Sequence, residues 1–261
     1  MTPLRLGAVS YLNTKPLVYG LESDPGFAVR FDVPSKCAAL LHAGDVDLGL
    51  IPAIEYLNGD YAIVPDVSIA SDGPVATVAV FSRTPIDRVQ RLALDVSSRT
   101  SVALTRILCA KHWGIAPAFV PAEPDLEAML ARADAALVIG DPAFAIDPGT
   151  YGVSKIDLGA EWKAMTGLPF VYAMWTGRDG AATAAQCRAL AQARDLGAAH
   201  LPEIARTAGG GDPDLERRSL VYLRDNLKYG LGDGEVAGLR RFHELAAEVG
   251  VVAGVKPLKF F

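Results

Sequence analysis

The stretch RLALDVSSRTSVALTRILCAKHWG, Arg91 to Gly114, decides how the chain is divided. Its first part, RLALDV, is a short apolar run bounded by polar residues, the mark of a strand. From Ser98 onward apolar residues recur at helical spacing behind a serine of the kind that caps helices. A strand that runs straight into a helix is half of a β-α-β unit. PAFVP reads as the strand that completes the unit, and AALVIGD as the strand that closes a second, with PDLEAMLARA as the helix between them. VSKIDL, a helix around AEWKAM and the apolar strand FVYAMW come next.

The same alternation occupies the N-terminal part. LRLGAV is a strand, followed by a helix from Thr14 or Lys15 to Leu21, and FAVRFDV is the next strand. Pro34 and Ser35 open a helix over Cys37–His42 that Gly44 closes, after which come the strand VDLGLIP and a short helix at Ala53–Leu57. The order β-α-β-α-β implies parallel strands joined by right-handed crossovers. Beyond Ala182 the pattern is almost wholly helical, at Thr183–Ala208, Pro213–Leu227 and Glu235–Val249.

The interruption between the two alternating series predicts an α/β protein of two lobes. Lobe one is expected over residues 1–80 plus 176–261, and lobe two over residues 81–175. Two strands, Val75–Ser82 and Phe170–Thr176, are expected to cross between them, with the ligand in the cleft at the strand ends. This layout resembles the type II periplasmic-binding-protein fold.

Composition narrows the function. A chain of 261 residues with a net charge of −5 and scattered basic residues carries no electrostatic footprint for nucleic acid or an anionic membrane. Cys37, Cys109 and Cys187 lie far apart in helical patterns and read as buried free thiols. His42, His112, His200 and His243 all fall within or at the ends of helical patterns, and none sits at a strand-end turn. The opening MTPLRLGAVSY lacks the apolar core and cleavage site of an export signal, so a cytoplasmic location is expected. Phosphate-loop, dinucleotide, zinc-protease, C-x-x-C and nucleophile-elbow motifs are absent. The residues therefore point to a small-anion binder working without metal, nucleotide or covalent nucleophile, with catalysis left open.

The polar turns after the strands hold the candidates. At Ser98–Ser101 the free N–H groups of a helix start, the hydroxyls of Ser98, Thr100 and Ser101 and the Arg99 guanidinium could receive a carboxylate or phosphate. Ser98 taken alone reads as an N-cap. In ASDGPVATV, Gly73 and Pro74 shape a tight turn, Thr77 points to one strand face, and Asp72 reads as turn chemistry. Gly140 and Asp141 end a strand, where Asp141 reads as a helix cap before it reads as a catalytic group. The turn Ser10-Tyr11-Leu12-Asn13 is either punctuation or the lip of a site.

Taken together, GAVSYLNTKPL, DVDLGLIPAIEY, IASDGPVATV, LDVSSRTSVALTRILC, LVIGDPA, DLGAEWKAMTGLPFVYAMW and YLRDNLKYGLG resemble the menaquinone-biosynthesis chorismate dehydratase family (MqnA-type) of the futalosine pathway. The likeness runs from the first strand to about Phe242. A sister family that makes 1,4-dihydroxy-6-naphthoate shares the fold but begins with a Ser-Pro-Cys-Pro-Asn-Asp type of turn, which this chain lacks. Thr77 stands where the dehydratase pattern has serine, and the hydroxyl is kept.

The resemblance implies loss of water from chorismate to give 3-[(1-carboxyvinyl)oxy]benzoate, without cofactor or metal. It implies that Ser10 and Asn13 are catalytic and face the substrate, with Tyr11 packing nearby. Gly73, Val75, Thr77, Ser98, Arg99, Thr100, Ser101, Gly140 and Asp141 would bind it. The cleft-facing turns offer no histidine or lysine suited to act as base, and Lys15 is expected to point along its helix. The enolpyruvyl carboxylate of the substrate is therefore expected to take the proton, with Asn13 holding the arm or the leaving hydroxyl. A non-catalytic solute binder and the sister naphthoate synthase are the alternatives.

Overall fold

The computed structural model describes residues 2–261. In chain order the elements are β1 (Leu4–Val9), β2 (Phe27–Asp32), α1 (Pro34–Ala43), β3 (Leu48–Pro52), β4 (Tyr61–Ser71), β5 (Val78–Ser82), β6 (Arg91–Asp95), α2 (Arg99–Leu108), β7 (Ala118–Ala122), α3 (Leu126–Leu130), β8 (Ala135–Ile139), α4 (Gly140–Ala145), α5 (Pro148–Tyr151), β9 (Ser154–Asp157), α6 (Leu158–Thr166) and β10 (Phe170–Arg178). Four helices complete the chain: α7 (Ala184–Ala199), α8 (Leu201–Gly209), α9 (Pro213–Val221) and α10 (Asp233–Glu248).

The strands form two mixed sheets, in the orders β2-β1-β3-β10-β4 and β7-β6-β8-β5-β9. In the first, β1 runs parallel to both β2 and β3, while β10 is antiparallel to β3 and β4. In the second, β6 is parallel to β7 and β8, and β5 is antiparallel to β8 and β9. Strands β3, β5 and β8 are buried at every position, as continuous apolar runs covered on both faces must be. Helix α1 starts on Pro34 and stops at Gly44, whose φ of +81° lets its N–H reach the Leu40 and Leu41 carbonyls.

The expected crossings shift: Val75–Ser82 crosses only in its first residues, 75–77, and Phe170–Thr176 does not cross. Phe170–Thr176 is hydrogen-bonded wholly into the first sheet and Val78–Ser82 wholly into the second. The chain passes between the sheets instead over the irregular segment 72–77 and over residues 158–169, which are α6 and the turn after it. A fully apolar strand fits the middle of either sheet, so its sequence does not say to which it belongs.

Two helical expectations also shift. The segment after β1 winds as a 3-10 helix over Leu12–Val18 rather than an α-helix, with Pro16 inside it supplying no N–H. The expected helix Thr183–Ala208 breaks at His200 into α7 and α8, with Pro202 at the start of the second. Helix α7 lies so close to the 12–18 segment that a Cβ on Gly197 would overlap the Pro16 carbonyl. The C-terminal helices thus return to the first sheet, where Trp162, Phe170 and Phe242 pack edge to face. Among the described residues no helix is long and apolar enough to cross a membrane.

Candidate active site

The C-terminal ends of β1, β6 and β8 meet where the two sheets face each other. After β1 the chain turns through Ser10 and Tyr11, with the Ser10 N–H donating to the Asp32 carbonyl at 2.9 Å. This turn is clasped from the second sheet. The Leu12 N–H donates to the Asp141 carboxylate at 3.2 and 3.3 Å. The Tyr11 ring lies against Gly140, where φ is +66° and an added Cβ would stand 2.6 Å from the ring. Glycine is required there twice over, by the backbone angle and by the close approach.

After β6 the buried Asp95 carboxylate accepts from the Ser97 N–H at 2.9 Å and the Ile139 N–H at 3.2 Å, fixing the turn into α2. Burial raises the Asp95 pKa despite these hydrogen bonds. Ser98 caps α2, its Oγ accepting from the Ser101 N–H at 3.4 Å and sharing a hydrogen bond with Ser101 Oγ at 3.0 Å. Both hydroxyls are buried at the positive end of the helix dipole.

A third wall comes from the segment between β4 and β5. Thr77 Oγ1 shares a hydrogen bond of 2.9 Å with the Tyr222 hydroxyl, and the Thr77 carbonyl accepts from the Gly140 N–H at 2.7 Å. Burial raises the Tyr222 pKa, against hydrogen bonds to Thr77 and Asn13. Tyr172, on β10, shares a hydrogen bond of 3.0 Å with Ser71 Oγ, and burial lifts its pKa well above the phenol range. Both phenols are therefore neutral donors at physiological pH.

These walls enclose a narrow cavity of about 50 Å³. Of the residues expected to contact a ligand, Tyr11, Asn13, Val75, Thr77, Ser98, Ser101 and Gly140 line it, joined by apolar groups such as Val9, Ile69 and Ile139 and by Tyr172. Among the described residues lining it there is no carboxylate, imidazole, amine or guanidinium. Uncharged donors around a helix start suit a carboxylate taken out of water.

The other expected residues lie elsewhere. Ser10 and Asp141 line a larger neighbouring cleft of about 800 Å³, because Tyr11 and Asn13 take the inner side of the turn. Burial raises the Asp141 pKa, and the Leu12 N–H and Lys15 oppose that rise. Arg99 turns away from the cavity to Glu55, which its Nη1 reaches at 2.8 Å. Thr100 Oγ1 accepts the Ile54 N–H at 3.2 Å, and the Gly73 carbonyl accepts from Ser71 Oγ at 2.9 Å. Exposed Asp72 pairs with Lys163 Nζ at 2.5 Å. Sequence reading missed Tyr172 and Tyr222. Each sits in a run whose periodicity announces only core, and the one available signal was a phenol among otherwise apolar neighbours.

Residues 4–248 match the family model described as menaquinone biosynthesis. The chain belongs to the menaquinone biosynthesis family. It is 33% identical to a chorismate dehydratase of Thermus thermophilus, over 94% of this chain and 95% of that one. A chorismate dehydratase of Campylobacter jejuni is 29% identical over 65% of this chain and 66% of its own. Solved structures share the fold at low identity. A protein of Archaeoglobus fulgidus superimposes with a TM-score of 0.71 at 15% identity, covering 96% of this chain and 99% of that one. The periplasmic aliphatic sulphonate binding protein of Escherichia coli does so with a TM-score of 0.67 at 16% identity, covering 100% and 94%. This family member therefore has the expected two-lobe periplasmic-binding-protein fold.

Proposed function

We propose that this protein is a chorismate dehydratase. It removes water from chorismate to give 3-[(1-carboxyvinyl)oxy]benzoate in the futalosine route to menaquinone, in the cytoplasm. The observation that carries the reading is the cavity wall: the Ser98–Ser101 helix start, Asn13, Thr77 and Tyr172 offer hydrogen bonds and no charge. Such a wall can hold a dicarboxylic substrate while leaving its own carboxylate the strongest base in the space.

In this reading one substrate carboxylate lies at Ser98 and Ser101, where backbone N–H groups and hydroxyls replace its water. The enolpyruvyl carboxylate is folded over the ring and takes the proton from the ether-bearing carbon. Electrons of that C–H bond form the new ring double bond as the neighbouring C–O bond breaks. The leaving hydroxyl takes that proton back from the enolpyruvyl carboxyl and departs as water, which restores the carboxylate. Aromatisation drives the step, so orientation matters more than a strong base. Asn13 holds the arm or the leaving hydroxyl through its amide.

A cavity of about 50 Å³ has room for only a few waters, so chorismate needs the walls to part first. We take the halves built on the two sheets as the moving lobes. Their boundaries fall in segments 72–77 and 158–169 rather than inside β5 and β10. Closure then shuts out water and brings the donors together.

The reading is tested by incubating the protein with chorismate and following mass. Loss of one water to an aromatic product is expected. Chorismate that stabilises the protein yet remains intact over hours would make it a binding protein instead, and conversion of a cyclic futalosine-derived substrate would make it the sister synthase.

A further inference from the structure

Ala76 has a φ of +68°, a left-handed conformation that a residue bearing a Cβ adopts only at a penalty. It stands between Val75 and Thr77, both of which face the cavity. Such a conformation persists when its surroundings over-determine it. Here they do. The Val75 N–H donates to the two Asp157 carboxylate oxygens at 3.0 and 3.1 Å, and the Ala76 N–H donates to Oδ2 at 2.6 Å. The Ala76 carbonyl accepts from Lys155 Nζ at 2.6 Å. On one side Asn226 Nδ2 donates to the Pro74 carbonyl at 3.0 Å, and on the other the Gly140 N–H holds the Thr77 carbonyl.

The same carboxylate opens α6, accepting from the Gly159 and Ala160 N–H groups at 2.9 and 3.1 Å. Asp157 therefore gathers backbone N–H groups from both segments by which the chain passes between the sheets. The two segments are pressed together beside it. A Cβ on Gly159 would stand 2.5 Å from the Gly73 carbonyl oxygen and 2.7 Å from the Tyr172 hydroxyl. A helix cap needs only the contacts to Gly159 and Ala160. The three contacts to Val75 and Ala76 are additional, and one of them is to the N–H of the strained residue itself.

We propose that Asp157 is a positioning residue and the pin of the interlobe hinge. By holding Ala76 in its left-handed turn it aims the Thr77 hydroxyl at the cavity, and by gripping both crossing segments it keeps that aim while the lobes open and close. Lys155 is the second clamp on the same residue, at its carbonyl. The activity readout rests on the dehydratase reading; the hydrogen-bond geometry does not.

The test is a double-mutant cycle of Asp157→Asn and Ala76→Gly, with chorismate kinetics and melting temperature measured for all four proteins. Asp157→Asn loses the charge and places an amide NH₂ against N–H donors. It should lower kcat by about five- to thirtyfold, the range set by a left-handed residue's penalty, with a smaller change in KM. Glycine takes a φ of this sign freely, so Ala76→Gly should recover most of that loss in the double variant. An unchanged kcat in Asp157→Asn, or a loss that Ala76→Gly fails to relieve, overturns the proposal and leaves Asp157 a helix cap. If Asp157→Asn does not fold, Lys155→Met replaces it: kcat should fall and Ala76→Gly should relieve it, and an unaltered kcat overturns the proposal. If wild type leaves chorismate intact, the dehydratase reading fails separately. The pin is then read by amide hydrogen exchange at Val75 and Ala76, which Asp157→Asn should accelerate; unchanged exchange overturns it.

Discussion

Arg99 Nη1 donates to Glu55 Oε1 at 2.8 Å, tying the first turn of α2 in the second-sheet half to the helix that follows β3 in the first. The Glu55 side chain is only 2% exposed and also meets His42 Nε2 at 2.8 Å and Asn58 Nδ2 at 3.0 Å. Burial pushes its pKa up, but the hydrogen bonds from His42, Arg99 and Asn58 outweigh it and hold the carboxyl below the usual range. The guanidinium is 52% exposed, so the pair is unequal in what each partner stands to lose.

Removing the buried partner should therefore hurt more. Glu55→Gln is expected to destabilise the protein by about 3 kcal/mol, since three partners lose a buried charge. Arg99→Gln should lower stability by about 1 kcal/mol or less, because half of its surface is in water. Denaturant melts check both values. KM for chorismate in Arg99→Gln should stay within about threefold of wild type, and a rise above about tenfold would return Arg99 to the substrate site.

Ser98 and Ser101 face the cavity where Thr100 does not, so the pair alone should carry the hydroxyl contribution at the helix start. Ser98→Ala with Ser101→Ala is expected to raise KM by at least about tenfold, as a hydrogen bond to a charged group is worth about 1.5–3 kcal/mol. Loss of the cap should also reduce stability by about 1 kcal/mol. Thr100→Val should leave KM near wild type and show its effect in melting temperature. Equal KM values for all three proteins would reduce the helix start to a structural cap.

Three substitutions separate the sources of the proton acceptor. Asn13→Ala should lose most activity through lost positioning, whereas Asp72→Asn and Asp141→Asn should each keep a substantial fraction. A general base contributes roughly 10²–10⁴-fold, so a loss on that scale in either aspartate variant, with melting and binding unchanged, would make that carboxylate the base. The comparison is of kcat at saturating chorismate.

His243 supplies a pH dependence. Its buried ring packs parallel to Tyr56, and Nε2 donates to the Ala53 carbonyl at 3.0 Å. Burial pushes its pKa down to about 4. The unfolded chain takes up a proton near pH ~6.5, which the folded protein refuses until the lower value. Its contribution is thus complete above the unfolded value and is lost progressively as the pH falls toward the folded one. The loss should be no more than about 3 kcal/mol. Urea unfolding at pH values spanning this window should show the slope in wild type and a flatter profile in His243→Gln.

The β-α-β order of both halves, the cap at Ser98 and the stop at Gly44 were readable because each depends on residues within a few positions of one another. Apolar spacing sets strand or helix, and a serine or glycine at the end sets where it stops. The cavity is another matter. Ser98 and Ser101 could be named as its floor from the sequence, but whether Arg99 joined them depended on Glu55, 44 positions away. Asp141 meets Leu12 across 129 positions and Thr77 meets Tyr222 across 145. Phe170–Thr176 and Val78–Ser82 could be recognised as buried strands without their sheet being known, since uniform burial satisfies either place. Local periodicity thus determined which elements exist and which ends are polar. Which polar ends share a cavity was decided only by tertiary packing, because the hydrogen bonds and close contacts that aim those side chains join segments far apart in the chain.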